Sequence, residues 1–591
     1  MRFARRSSVS TRWRARVLPL CAALALGCHG EVGDTGTGSA ITPTCDPGDP
    51  AQVVEQQRIM LLTSTQLINM VKLVSPEEAQ AVIDMAVFEV MTEFKSRFPP
   101  AKFETRKSIP NSTELVAFDL LARHVGAYVR DHFMAVTQCA TPGTDACATA
   151  WLEKLAARVY RRPLSQGEKD RLTGPTGLYY TLKSQIVNGC QVTTSVEDAT
   201  GNCVYGLFMT PQVLWRWELG GGTPSTAPPG IYLTDAELAS QLSFFLTDEP
   251  PDEMLIAAAA AGNLRANMAT HVDRILATPT SRTWLAKVMR IYFTLNQLPG
   301  VNIDPVVAPI VQSGAVFGDM EEEAKRFTNE ILWNGKVMDL ITSRKTFVNY
   351  NLATMIYNVP APAGTSATDG LAFGETTLPA DQRSGLLTNA GFITRTARTQ
   401  GVGVVPRGLA VKALFLCLET PAPPDTLREP GGPIDTQVKM LDMMTAREQV
   451  DSRAMTSPCS ACHPSFDPYG LVLDWYDVVG RFRTVDHLNK PIDGTTSLPP
   501  DVGGQTVHSA VELADVLSKS TVFMNCMAKT LLQYGLTDTT VELPIAPPSI
   551  QRGCAAAGVA NKVQKSSTQS FSDMVRAVAA SPAFVLRKQV Q

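Results

Sequence analysis

No apolar stretch in these 591 residues is long enough to cross a bilayer: the runs 17–26 and 255–261 fall well short of the roughly 20 residues that a spanning helix needs. Positive charge is not in surplus either. Lys and Arg number 53 against 56 Asp and Glu, and six of the Arg sit in the first 27 residues, which hold no acid. Beyond them remain 47 basic and 56 acidic residues, a net charge of −9. A chain of that sign has no electrostatic reason to seek a phosphate backbone, so nucleic acid is not an expected partner. A Gly-rich phosphate loop, a Gly-x-Ser-x-Gly elbow and a His-Glu-x-x-His helix are also missing, which removes the commonest nucleotide-binding and hydrolase readings. What is present, 44% hydrophobic and 18% charged residues, is the balance of a folded chain of roughly three to five domains.

The Arg-rich start and the short apolar run behind it have the layout of a secretory signal, predicted to end at residue 27. The run closes on Ala25-Leu26-Gly27-Cys28, which resembles the lipobox of bacterial lipoproteins. That resemblance implies acylation of Cys28, a membrane anchor through the lipid, and a flexible tether over the Gly/Thr/Asp-rich residues 28–50. An ordinary signal peptide with Cys28 in a disulfide is the alternative. The expected location is the outer membrane or cell surface, or alternatively the periplasm, all of which permit disulfides. Cys139 with Cys147, and Cys190 with Cys203, each enclose a short polar loop and are predicted to pair; Cys526 with Cys554 is a further pairing. Cys45 and Cys417 are left over, with no partner legible from spacing.

Helical periodicity dominates the rest. Met320, Ala324, Phe327 and Ile331 fall on one helical face, with Glu321/Lys325 and Glu322/Arg326 as i,i+4 pairs on the other, and Trp284, Val288 and Ile291 form a similar stripe. Capping boxes at Ser165…Glu168 and Thr234…Glu237, and Pro at the first helical position in Ser75-Pro76, Thr210-Pro211 and Ser581-Pro582, mark helix starts. Strand signals are few, so the predicted fold is mainly α: several packed helical modules over 51–140, 147–218, 231–358, 383–485 and 510–591, joined by Gly/Pro-rich linkers at 220–230, 360–379 and 421–433. There is also a weak internal echo, Thr210-Pro-Gln-Val-Leu-Trp-Arg216 against Ser581-Pro-Ala-Phe-Val-Leu-Arg587; two helix starts with similar caps explain it as well as duplication does.

One motif carries chemistry. Cys459-Ser460-Ala461-Cys462-His463 is the Cys-x-x-Cys-His pattern of c-type haem attachment, and twelve Cys and seven His would give only about 0.003 such matches by chance. Ser457 is placed to cap a short helix with Pro458 at its first position, on which residues i, i+3 and i+4 share a face. Two thiols on that face can form thioethers with the haem vinyl groups while the imidazole of His463 reaches the iron. Pro468 disfavours helix at Asp467 and is expected to end the turn. Zinc would need a fourth ligand, and only His487 and His508 follow within the next 60 residues. A redox dithiol would call for a thioredoxin-like context, which is absent.

The opposite face of the iron decides the chemistry: a Met or His there favours one-electron transfer, whereas an open position lets peroxide or oxygen react. Downstream candidates are Met524 and Met527, 61 and 64 residues after His463, with His487 and His508; upstream are Met440, Met443, Met444 and Met455. Core packing is the competing role for Met524 and Met527. Arg481 and Arg483 could pair with haem propionates, or form ordinary surface salt bridges, and Trp475 and Tyr476 could pack on the haem edge, or simply fill the core. His124, His132 and His271 have no companion ligands and are expected to be structural.

Residues Cys459 to Arg481, with Asp467-Pro468-Tyr469-Gly470 and Gly480-Arg481, resemble the haem segment of large exported cytochrome-like proteins of planctomycete and myxobacterial type, built from serial domains of unknown function. Arg161-Arg162-Pro163-Leu164, the run 238–246, Phe347-Val348-Asn349, Arg383-Ser384-Gly385, Pro406-Arg407-Gly408, the run 417–424 and the run 571–587 resemble other modules of that group, from about residue 147 to the end. The resemblance implies a multi-module, mostly helical, exported protein with one covalent haem c. It departs at Thr394–Thr399, where relatives often carry a His-containing loop, so no ligand carries over there. The leading expectation is electron transfer with a redox partner protein in the cell envelope. The alternatives are an open-iron oxidase or peroxidase, and a surface binding or scaffold protein with structural haem or none.

Overall fold

The computed structural model describes residues 57–74, 112–139, 143–187, 190–418 except 227, 297 and 400, 420–429, 443–536 and 548–588, with Val54 and Gly432. The signal, Cys28, the tether, Cys45, Ser75-Pro76 and Met440 lie outside them. The fold is mainly α, with a few two- and three-stranded antiparallel ribbons.

Helix starts follow local chemistry. Thr63/Gln66, Ser165/Glu168, Thr234/Glu237, Thr445/Glu448 and Ser570/Asp573 each form a reciprocal capping box, two of them at the positions expected from sequence. Pro211 and Pro582 open one-turn helices as predicted. On the helix Ala315–Asn334 the stripe Met320, Ala324, Phe327 and Ile331 is buried. On Pro279–Tyr292 the buried face is instead Ser281, Leu285, Ala286, Val288 and Met289, which leaves Trp284 and Ile291 at its margin. Lys325 pairs with Glu322 rather than Glu321, and so does Arg326.

The N-terminal core runs from Leu61 to Phe244. Within it the helices Ser112–Asp131 and Val196–Phe208 cross at Gly126 and Gly201, where a Cβ on either residue would come within 2.6 Å of the other's carbonyl oxygen. A second core extends from Leu233 to Phe584 and draws on three of the predicted modules at once, so 231–358, 383–485 and 510–591 share one interior. The third, smaller core joins residues around Ile303, Met320 and Tyr357 to Val478 and Val479.

The internal echo has a structural counterpart. Each copy is a Pro-initiated turn running into a strand, Trp215–Glu218 and Leu586–Arg587, and the Arg of each points at the same carboxylate. Glu218, fully buried, pairs with Arg216 at 2.6 Å, with Arg58 at 2.6 Å and with Arg587, which also donates to Gln241 Oε1 at 2.9 Å. Burial by itself would push this carboxyl up, but the guanidiniums of Arg58, Arg587 and Arg216 outweigh it and hold the group well below the usual carboxylate range. The strand Arg58–Leu61 pairs antiparallel with Trp215–Glu218, while Leu586–Arg587 pairs with Pro229–Tyr232, so this one acid gathers both ends of the described chain.

Cys139–Cys147 is a disulfide, as spacing suggests. The other two pairings are corrected. Helix Val196–Phe208 turns Cys203 into the N-terminal core as a buried thiol, its pKa pushed by burial up to about 12, so it does not bridge to Cys190. Cys526 bonds to Cys417, and Cys554 is disulfide-bonded elsewhere. Cys417, at φ 54° just past the helix Val404–Phe415, reaches the helix Val522–Leu536 across a sequence separation of 109.

Candidate haem-attachment site

The motif follows the helix Ala446–Met455 as two consecutive 3-10 turns, Cys459–Ala461 and His463–Ser465. Ser457 does not cap them; Pro458 takes the cap position, and the backbone closes through Cys462 N to Cys459 O at 3.1 Å and Phe466 N to His463 O at 3.1 Å. The three-residue pitch still puts positions i and i+3 over one another, so Cys459 and Cys462 share a face. Pro468 does not end the structure. Asp467 opens a new short helix, Asp467–Leu471, in which Pro468 occupies an early position whose N–H has no intrahelical partner to lose.

That short helix crosses Val404–Phe415 at a contact only glycines allow. A Cβ on Gly470 would meet Val404 O at 1.9 Å, and one on Gly408 would meet Phe466 O at 2.2 Å. Beside Gly408, the fully buried Arg407 donates to Leu473 O (2.8 Å), Tyr476 O (2.7 Å) and Asp477 O (2.7 Å), clamping the chain that leaves the motif; burial pulls its pKa down to about 9. Arg383 lies between the rings of Tyr357 and Tyr476 and donates to Thr388 O and Gly480 O, both at under 3 Å, holding the same segment from the other side.

His463 is the oriented group. Its Nδ1 lies 3.1 Å from Asp467 Oδ2, and Arg453 Nε donates to the same oxygen at 2.7 Å. Asp467 and Arg453 are both buried, while the imidazole is partly exposed beside Phe466. A neutral imidazole donating from Nδ1 to a carboxylate keeps its lone pair on Nε2, the arrangement by which a carboxylate fixes a metal-ligating His. Cys459 and Cys462 are not disulfide-bonded. Lys412 reaches across to Ser465 Oγ at 3.0 Å, and burial lowers its pKa. Two neighbouring thiols on one face and an oriented Nε2 fit the chemistry of thioether attachment and axial ligation. Among the described residues, no group of three or more His, Cys, Asp and Glu is assembled that could hold a metal ion.

The remaining sequence candidates lie outside the two turns. Arg481 Nε pairs with Asp477 Oδ2 at 2.6 Å and Arg483 Nη2 with Asp474 Oδ1 at 2.5 Å, so both brace the loop that follows the motif. Trp475 stacks on Phe482, and Tyr476 is buried. Met524 and Met527 are packed in the main core on Val522–Leu536, whose principal neighbours include Pro548–Lys565, Phe571–Ala579 and Asp235–Thr247. Met443, Met455, His487 and His508 are exposed, with His508 paired to Glu512, and Met444 is half-buried. Sequence reasoning missed Asp467 and Arg453. The i,i+4 spacing of His463 and Asp467 was a signal for the first; nothing local pointed to the second.

Residues 233–359 match the family described as PSD4, protein of unknown function (DUF1592), and residues 383–486 the family described as PSCyt3, protein of unknown function (DUF1588). The chain carries these two domains. The Cys-x-x-Cys-His turns, Asp467, Arg407 and Arg383 all fall in the PSCyt3 domain, whose name carries a cytochrome-like label, and Glu323 and Tyr357 fall in the PSD4 domain. No curated protein and no solved structure matches.

Proposed function

We propose that this is an exported c-type cytochrome-like protein, anchored through an acylated Cys28, that holds one haem c and exchanges electrons with a redox partner protein in the cell envelope. Cys459 and Cys462 would hold the haem through thioethers and His463 would ligate the iron; when bound, the haem supplies reversible one-electron chemistry. The supporting observation is the His463–Asp467–Arg453 chain. Asp467 keeps the imidazole in one orientation, from which a neutral ring donating Nδ1–H would offer its Nε2 lone pair to iron, and Arg453 fixes Asp467 in turn. Among the described residues no helix is long and apolar enough to cross a membrane, and the chain carries disulfides, both compatible with export.

A second reading, an iron left open opposite His463 and reacting with peroxide or oxygen, draws support from the burial of Met524 and Met527 in the core and from the carboxylate behind His463, which makes the imidazole a stronger donor. Visible spectra of the mature protein, made in a host that matures c-type haem, test both. One haem per chain that resists acid-acetone extraction is expected, and it should be lost in Cys459→Ala/Cys462→Ala; a colourless wild-type product overturns the proposal. A low-spin, Met-ligated spectrum indicates electron transfer, and a resting spectrum that shifts readily with cyanide the second reading. Mass spectrometry of the native N-terminus reads acylation of Cys28.

A further inference from the structure

We propose that the cleft between the N-terminus of Val404–Phe415, the helix Ala446–Met455 and the loop that follows the motif binds a carboxylate carried on a small apolar body. The cleft encloses about 240 Å³. Three guanidiniums line it, from Arg398, Arg453 and Arg483, against one carboxylate, Asp477, which is already paired with Arg481.

Two of these guanidiniums keep N–H groups without an acceptor. Among the described residues Arg398 makes no ion pair or hydrogen bond from its side chain, although it is only partly exposed. Arg453, 2% exposed, uses Nε on Asp467 and leaves Nη2 buried without a partner. Arg453 lines the cleft, and a buried N–H of this kind is ordinarily satisfied by an acceptor.

Backbone donors converge on the same place. The residue before the helix is Gly403, at φ 73°, which has no side chain to cap the first turn. Val404 and Val405 therefore present their N–H groups with no side-chain acceptor, at the positive end of a twelve-residue helix. Arg398 and the helix end are held together, since a Cβ on Gly403 would come within 2.9 Å of Arg398 Cγ. The walls between the cations are apolar, from Val402, Pro406 and Val478. Fixed positive groups at one end and hydrocarbon walls beside them select an amphipathic anion over a fully hydrated inorganic one.

A free organic acid and the propionate edge of an attached haem share this chemistry. Benzoate fits the volume and serves as the probe. Its binding is followed by calorimetry in the full mature chain and in Cys459→Ala/Cys462→Ala, each with and without Arg398→Gln. Arg398 has no partner to orphan among the described residues, so the variant should melt with its parent, and the visible spectrum of the same preparations reports haem attachment separately. Benzoate is expected to bind the haem-free chain, with affinity lowered about tenfold by Arg398→Gln. Binding to both chains identifies a free organic acid as the ligand, and binding to the haem-free chain alone identifies the propionates. If benzoate binds neither chain, or binds equally well after Arg398→Gln, the inference is overturned. Should the double Cys variant fail to fold, wild-type chain made in a host that does not mature c-type haem takes its place: a tenfold loss on Arg398→Gln supports the site, and no binding, or no change, sinks it.

Discussion

Replacing Asp467 by Asn keeps the volume of the side chain and an acceptor oxygen for His463 but removes the charge that Arg453 faces. Arg453 Nε lies 2.7 Å from Asp467 Oδ2, and both side chains are almost wholly buried. Two unit charges about 4 Å apart, centre to centre, at an effective dielectric near 20 interact by about 4 kcal/mol, in line with the roughly 3–5 kcal/mol lost when one member of a buried pair is removed. Asp467→Asn should therefore cost about 4 kcal/mol locally. Arg453→Gln should cost somewhat less, because His463 remains beside the carboxylate and is partly exposed. The double variant leaves no buried charge and should cost far less than the sum, a coupling of about 3 kcal/mol. A chain of several modules does not unfold in one step, so the assay is hydrogen exchange of residues 459–483, which reads local opening. Simple additivity in the double variant, or single losses below about 1 kcal/mol, would refute the view that this pair holds His463 in place.

Three further outcomes are expected. Gly470→Ala places a Cβ 1.9 Å from Val404 O, closer than backbone can yield without moving; the two helices must separate, with a loss of at least about 3 kcal/mol and a fall in haem yield read from the visible spectrum. Cys417→Ser opens a loop with a separation of 109 residues, which the chain-entropy account values at about 4–5 kcal/mol, seen as a lower thermal midpoint without reductant and no difference with it. Glu323 is fully buried and its pKa is raised by burial to about 7 even though Tyr357 and Thr346 donate to it. Since the folded chain holds this proton more tightly than the unfolded one, its contribution is complete below the ordinary carboxylate pKa and declines as pH rises from about 4.5 to 7. Glu323→Gln should flatten that slope, and an unchanged pH profile would contradict it.

The sequence disclosed what local chemistry decides. Capping boxes at Ser165 and Thr234, the Pro-initiated turns at 211 and 582, and Cys139–Cys147 all depend on residues within a few positions of one another, and all are present. The Cys459–His463 motif was legible for the same reason, although its turns are 3-10 and its cap is Pro458. Pairings that depend on how distant helices meet were not legible: Cys417 finds Cys526 only because Val404–Phe415 and Val522–Leu536 pack together. Arg453 behind His463 is a tertiary fact of the same kind.

The buried arginines explain why the recognisable short motifs look as they do. Arg161, Arg383 and Arg407 each point inward and spend their guanidiniums on backbone carbonyls, of Gln212 and Trp215, of Thr388 and Gly480, and of Leu473, Tyr476 and Asp477. A planar group with five donors can tie two loops that have no regular secondary structure to satisfy their own carbonyls, which Lys, with its single ammonium, cannot do in that geometry. Burying such a cation is costly, so each is a position where the fold holds a loop rather than leaving it to solvent. Two of the three converge on the segment 473–480 directly behind the Cys-x-x-Cys-His turns. The loop behind the motif is therefore held from the start of the PSCyt3 domain and from the helix Val404–Phe415, and substitution of Arg383 or Arg407 by Lys should loosen that segment while leaving the motif's sequence intact.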